Sequence, residues 1–341
     1  MKFHSFRFCI FSVICLFANQ QSKAQDPHFS QYFVSPMTLN PALIGKDVAE
    51  IRVNTIMRAQ WWGSASVKPF YTSTVSFEKR LLTARPGNNS LAIAFSLLSD
   101  ASNGGVLKNN YLSGGIAYNK ALDAEGSELL GGGITVTYAN RIFDAGKFEF
   151  QSQFGSMGFQ RSMPSNDAVS IAGKHYWDVN AGIHYSKRND RVGYNLGVSV
   201  FHAGTPPEAE YNGETYYLKL RTGLQAGLQF YMANKTEIHL SSALDMQGEN
   251  RIYTLGGLCK IFANDETIHS LNIGIWKRFG DAVYPYVGLE GNKWLAGITY
   301  DIITGKETTF SQSVQSMEFS LILKLGSVKN ASSPVNRTVF Y

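Results

Sequence analysis

A chain of 341 residues is long enough for one large domain or two ordinary ones, and 32 glycines with 17 tyrosines and 22 phenylalanines lean it toward β structure. The formal charge of +5 rests largely on Lys2, Arg7 and Lys23; the chain after residue 24 carries 28 basic against 26 acidic side chains, a balance that excludes a nucleic-acid-binding reading. Two of the three cysteines, Cys9 and Cys15, also lie in the first 24 residues, so Cys259 alone would remain after them and an intrachain disulfide is excluded.

Those first residues have the form of a secretory leader. Lys2 and Arg7 precede an apolar run from Phe8 to Ala18, and Ser22-Lys23-Ala24 is a small-x-small cleavage site, so residues 1–24 are expected to be removed before Gln25. Ile14 before Cys15 is too bulky for a lipidation signal. Past the leader no apolar run approaches the roughly 18 residues of a spanning helix. A membrane location would therefore require a closed barrel.

Residues 25–46 form a separate segment. Asp26 and Asn40 each stand before a proline, which suits an N-cap followed by proline at the first helical position. Phe29, Tyr32 and Phe33 fall three and four residues apart, on one helical face, and Gly45 can end the second turn with a positive φ. With Pro27, Pro36 and Pro41 the segment is no central strand. It is expected to be a plug or docking element on the periplasmic side, at the mouth of a barrel.

From Val48 the apolar period becomes two. Ile51, Val53, Thr55 and Met57 alternate with Arg52, Asn54 and Arg58; Trp177, Val179, Ala181, Ile183 and Tyr185 alternate with Asp178, Asn180, His184 and Ser186. About fourteen such segments begin near Val48, Phe70, Ser90, Leu107, Ser127, Lys174, Val192, Tyr217, Thr236, Arg251, Ile268, Ala282, Lys293 and Met317. Many reach about ten residues, longer than soluble strands and long enough to cross a bilayer at a tilt. The expected fold is an all-β, antiparallel, up-and-down transmembrane barrel over residues 47–326, with outer-membrane lipid on the apolar faces. Tyr176-Trp177, Tyr216-Tyr217, Trp276, Tyr284, Tyr286 and Trp294, near segment ends, are expected in the interfacial girdles. Arg52, Arg58, Lys219 and Arg221 are expected to meet Glu78 and Asp178 across a polar interior.

With both termini periplasmic, odd-to-even connections face outward and should be the longer ones. The gaps at 61–69, 99–106, 141–173, 204–216 and 304–316 follow this parity, with short exceptions near Gly248 and Asp281. The longest, Arg141 to Gly173, holds Phe143, Phe148, Phe150, Phe154 and Phe159, and is expected to be an outer lid or a segment folded into the lumen. Residues 327–341 read as a flexible periplasmic tail.

The chemistry search finds no nucleophile elbow, paired-His zinc helix or phosphate loop, so no catalytic, cofactor or metal residues are assigned. Gly131-Gly132-Gly133 lies in strand sequence, where glycine relieves crowding or bends a wall. His184 and Ser186 share a face without a third partner, and Glu208 with Glu210 are too few carboxylates for calcium.

The stretch from Asp26 through Asn40-Pro41-Ala42 to Gly45, the Arg58-Ala59-Gln60-Trp61 region, the run Trp294 to Asp301 and the closing strand Met317 to Lys324 resemble the PorP/SprF family. These are outer-membrane proteins associated with type IX secretion and gliding in the Bacteroidetes. The resemblance implies an accessory barrel supporting export or surface attachment of a large adhesin. Implied partners are such an adhesin with a type IX C-terminal sorting domain, and periplasmic ring or peptidoglycan-associated components. Asp26, Pro27, Phe29, Tyr32, Phe33, Asn40 and Pro41 in the segment, with Trp62, Phe148, Phe150 and Phe154 in the outer loops, are the expected partner-binding residues. A porin or hydrophobic-solute channel is the alternative; an outer-membrane enzyme lacks a constellation.

Overall fold

The computed structural model describes residues 26–46, 49–62, 68–83, 89–164, 171–211, 213–232, 236–263, 265, 267–305 and 315–326. The leader with its cleavage point and the tail 327–341 lie outside the described residues, as does Val48.

Fourteen antiparallel strands close into one barrel. They are β1 Ile51–Trp62, β2 Phe70–Thr83, β3 Ser90–Ser102, β4 Leu107–Ala121, β5 Glu128–Phe143, β6 His175–Arg188 and β7 Val192–Phe201. The second half comprises β8 Arg221–Met232, β9 Thr236–Gln247, β10 Asn250–Phe262, β11 Ser270–Arg278, β12 Ala282–Glu290, β13 Trp294–Ile303 and β14 Gln315–Leu325. Each strand pairs with its neighbours in sequence, and β1 pairs with β14 from Ile51 opposite Leu325 to Trp62 opposite Gln315, which removes the last sheet edge.

The alternation in sequence becomes two surfaces because side chains on a strand point to opposite faces. On β6, Ile183 is 62% exposed while His184 beside it is fully buried. The outward face carries Met57, Leu97, Ile183 and Phe319, an apolar band suited to lipid. The inward face carries Arg58, Glu78, Asp178, Asn272, Asp301 and Glu318, all buried although polar. An open, water-filled lumen would leave such residues wet; here something fills it.

The strand ends that border the long connections, Phe143 and His175, Phe201 and Arg221, and Ile303 and Gln315, all lie at one end, as the parity predicts, and that end is the outward one in barrels of this kind. One expected long connection is short, because β3 runs on to Ser102 and only a 3-10 turn, Asn103–Gly105, precedes β4. The expected strand start at Tyr217 also shifts. Glu214–Tyr217 belongs to a small three-stranded sheet with Ile171–Gly173 and Pro207–Tyr211, and β8 starts at Arg221.

Candidate functional site: a filled lumen and the rim above it

Residues 26–46 fill the lumen. They do not cap its mouth, and they are not confined to the short-turn end where a periplasmic plug was expected. Asp26 lies at the long-loop end, where its backbone N–H donates to Gln247 Oε1 at 3.1 Å and its carboxylate meets His202 Nε2 at 2.5 Å. Lys46 lies near the opposite end and contacts His184 and Ser186 of β6. The segment therefore runs through the barrel and leaves it just before β1.

Its local structure follows from its prolines. Tyr32–Val34 and Pro41–Leu43 are 3-10 turns and Pro36–Leu39 is one helical turn, because Pro36 and Pro41 start new turns and cannot continue the preceding ones. Asn40 caps Pro41–Leu43 as expected, its Oδ1 accepting from Ala42 N at 2.9 Å, and Gly45 ends the run at φ 69°. Asp26 does not cap a helix. A cap stabilises by about 1 kcal/mol, whereas buried His202 and Arg221 each demand an anion, and the Asp26 carboxylate serves both, with Arg221 Nη1 at 3.3 Å.

Two kinds of wall receive the segment. On one side Phe33 stacks on Trp276 at 5.3 Å and meets Tyr286 edge-on at 5.4 Å, within a cluster that includes Phe29, Tyr32, Leu43, Tyr284 and Leu295. Trp276, Tyr284, Tyr286 and Tyr176 are therefore lumenal and leave the expected girdles; Trp177, 68% exposed, stays outside. On the other side the wall is shaved down. A Cβ on Gly133 would lie 2.3 Å from Pro41 O, and one on Gly182 would lie 2.0 Å from Asn40 Oδ1. Gly115, Ala92 and Ala94 make room for Ile44 and Met37 in the same way. The glycine triplet relieves crowding by admitting the plug backbone, while Gly132, facing outward, meets nothing.

Polar groups stitch the segment in place. Glu318 accepts from the backbone N–H groups of Ser30 at 2.6 Å and Gln31 at 2.9 Å, while Arg58 donates to His28 O at 2.6 Å and pairs with Asp301 at 3.1 Å. Arg278 pairs with Asp301 at 2.8 Å, and Ser30 Oγ donates to the same carboxylate. Asn40 Nδ2 donates to the carbonyls of Ile183 and Val198 at 3.1 and 3.2 Å, and Gly45 N donates to Glu78 at 2.8 Å. These bonds compensate the irregular backbone that a lumen must otherwise leave unpaired.

The interior cations are matched locally, in a pattern only partly expected. Arg52 lies 3.8 Å from Glu78, but Asp178 takes His202 at 2.8 Å, and Lys219 is an exposed loop residue. Burial pulls His202 down, yet the carboxylates of Asp26 and Asp178 outweigh it and push the imidazole up to about 9. Burial works against the Asp26 carboxylate as well, and His202 and Arg221 together hold it well below the usual carboxylate range. Lys46 is pushed down to about 7 by burial.

The rim carries the remaining expected residues. Trp62 ends β1 and is partly exposed. Phe148 and Phe150, half-buried, lie 6.0 Å apart; Phe154, 56% exposed, packs on Phe159 at 5.4 Å, and Met157 between them is 86% exposed. The described residues of this loop are not folded into the lumen. Asp144 N donates to Val106 O and Lys147 Nζ to Gly104 O, so its base leans on the β3–β4 connection, while the plug occupies the space it was expected to narrow. Glu208 and Glu210 pair with Arg141 at 2.8 Å and Lys174 at 2.9 Å. The expected partner-binding residues thus fall into two sets: Phe29, Tyr32, Phe33, Asn40 and Pro41 buried within the barrel beside half-buried Asp26 and Pro27, and Trp62, Phe148, Phe150 and Phe154 on the rim.

Sequence reasoning missed His202, Trp276, Arg278 and Tyr286 as plug contacts. The signal was present: Trp276 shares its parity on β11 with Ser270, Asn272 and Arg278, a polar face that marks the lumen.

The architecture defines the class: a closed antiparallel barrel of the outer-membrane type, its lumen filled by the segment that precedes the first strand. The sequence matches the family model of the type IX secretion system membrane protein PorP/SprF over residues 21–323, and the chain belongs to that family. No curated protein matches it. Among solved structures it is similar in fold to the Ralstonia pickettii toluene transporter TbuX, with a TM-score of 0.50, 10% identity and coverage of 86% of this chain and 94% of that one. It is also similar to a deletion mutant of the monoaromatic hydrocarbon channel TodX, with a TM-score of 0.52, 10% identity and coverage of 85% and 94%. Identities this low speak for the barrel fold alone.

Proposed function

We propose that the protein is a non-conducting accessory barrel of type IX secretion, which anchors itself in lipid through its outward face and holds an exported adhesin with its outer rim. The observation that carries this reading is the filled lumen. A barrel whose interior is occupied from end to end offers partners its rims, and the long-loop rim presents Phe154, Met157 and Trp62 to solvent. Periplasmic ring or peptidoglycan-associated components would meet the opposite, short-turn end. The buried plug residues serve the barrel's own integrity in this reading, and the docking role falls to the rim.

The test is the double variant Phe154→Ser/Met157→Ser in the full chain. Surface display of the adhesin should fall while the amount of inserted, heat-modifiable barrel stays constant. Undiminished display would refute the rim as the docking surface. A channel for small apolar solutes is the second reading, favoured by a cavity of about 80 Å³ between plug and wall, lined by Met37, Thr38, Leu98, Tyr111, Thr135 and Phe201. Steady conductance or solute flux through the reconstituted protein would favour it over the first.

A further inference from the structure

The pairing that closes the barrel joins its first strand to its last. Between β1 and β14 lie all the other strands, so this contact spans the longest loop in the fold and is the slowest to find by chance. Among the inner-face pairs at this seam, Arg58 opposite Glu318 is the one of opposite charge. Their closest approach is 3.5 Å, and neither is satisfied by the other alone.

The plug adds partners to both. Five hydrogen bonds join residues 28–31 to the two seam strands: Arg58 to His28 O, Ser30 N and Gln31 N to the Glu318 carboxylate, Gln31 Nε2 to Glu318 O, and Ser320 Oγ to Gln31 Oε1. The adjoining strand β2 is held as well, with Gly45 donating to Glu78 and accepting from Arg80 at 2.9 Å. The segment is continuous with β1 and so travels with it. It carries two backbone amides aimed at the Glu318 carboxylate of β14, the last strand in the chain. Glu318 brought to the seam without those amides would be a buried anion with Asp301 nearby and too few donors.

From this we infer that residues 28–31 are a built-in template for barrel closure: they select β14, through Glu318, as the partner of β1. The segment then has a second role, in assembly, distinct from occupying the lumen afterwards.

Paired cysteines read the seam directly. In a Cys9→Ser/Cys15→Ser/Cys259→Ser background, Thr55→Cys with Leu321→Cys places thiols opposite each other across β1 and β14, and Leu196→Cys with Ala226→Cys does the same across β7 and β8 as a control. Full-length chains refold into detergent micelles under oxidising conditions, and the rate of each crosslink is measured. Ser30→Pro, which removes one amide donor to Glu318, should slow the seam crosslink by about tenfold to a hundredfold and leave the control rate unchanged. Because that change also perturbs the segment itself, Glu318→Gln repeats the test from the wall, keeping size and losing the charge. The same selective slowing is expected. Equal slowing of both crosslinks, or of neither, in both variants would overturn the template role.

Discussion

Truncating Phe33 to alanine is the sharpest test of how the plug is held. The ring is 3% exposed, stacked on Trp276 at 5.3 Å and set edge-on to Tyr286 at 5.4 Å. Removing a buried phenylalanine side chain costs about 3–5 kcal/mol, the aromatic contacts included. If the segment leaves the lumen this ring leaves its partners entirely, so the whole cost falls on the docking equilibrium. At about 1.4 kcal/mol per decade, the opening constant should rise by roughly two to four decades. Hydrogen exchange measures it. Val34 N and Leu43 N are bonded within the segment, to Gln31 O at 2.9 Å and Asn40 O at 3.0 Å, and can exchange only when the segment comes loose. In the Phe33→Ala protein these amides should lose protection by that factor while β7 and β8 amides keep theirs. A change smaller than tenfold would refute the idea that aromatic packing holds the plug.

Three further outcomes are expected. Gly133→Val should unseat the Pro41 turn, because its Cβ would lie 2.3 Å from a backbone carbonyl that has nowhere to go, whereas Gly132→Val, facing outward, should leave thermal stability and exchange unchanged. Asn40→Asp should destabilise more than Asn40→Ala: both lose the two bonds from Nδ2, and although alanine also loses the cap on Ala42 N, worth about 1 kcal/mol, aspartate sets a buried carboxylate against the carbonyls of Ile183 and Val198, which costs more; the melting temperatures of the two variants will rank them. The His202 imidazole is raised from 6.5 to about 9, so its contribution is complete below about pH 6.5 and disappears as pH rises through 9. Lys46, lowered from 10.5 to about 7, contributes with the opposite sign above pH 7, so the comparison must be between wild type and His202→Gln. The exchange difference between the two proteins near Asp26 should shrink across pH 6.5 to 9, and a pH-independent difference would refute the charged latch.

The sequence by itself determined the barrel. Strand number, strand limits to within a few residues and the lipid face were legible because a strand's period of two depends only on local geometry, and a sheet in lipid must carry apolar residues on alternate positions wherever it is paired. The capping of Pro41 by Asn40 and the positive φ of Gly45 were legible for the same reason: each involves neighbours in the chain. What filled the lumen was decided by the tertiary structure. Whether Trp276 and Tyr286 belong to a girdle or a core, why Gly133 and Gly182 lack side chains, and why Asp26 forgoes its helix for His202 all turn on which strand stands across a closed barrel from which plug residue. Those distances join positions more than ninety residues apart. No local propensity encodes them; barrel closure sets them.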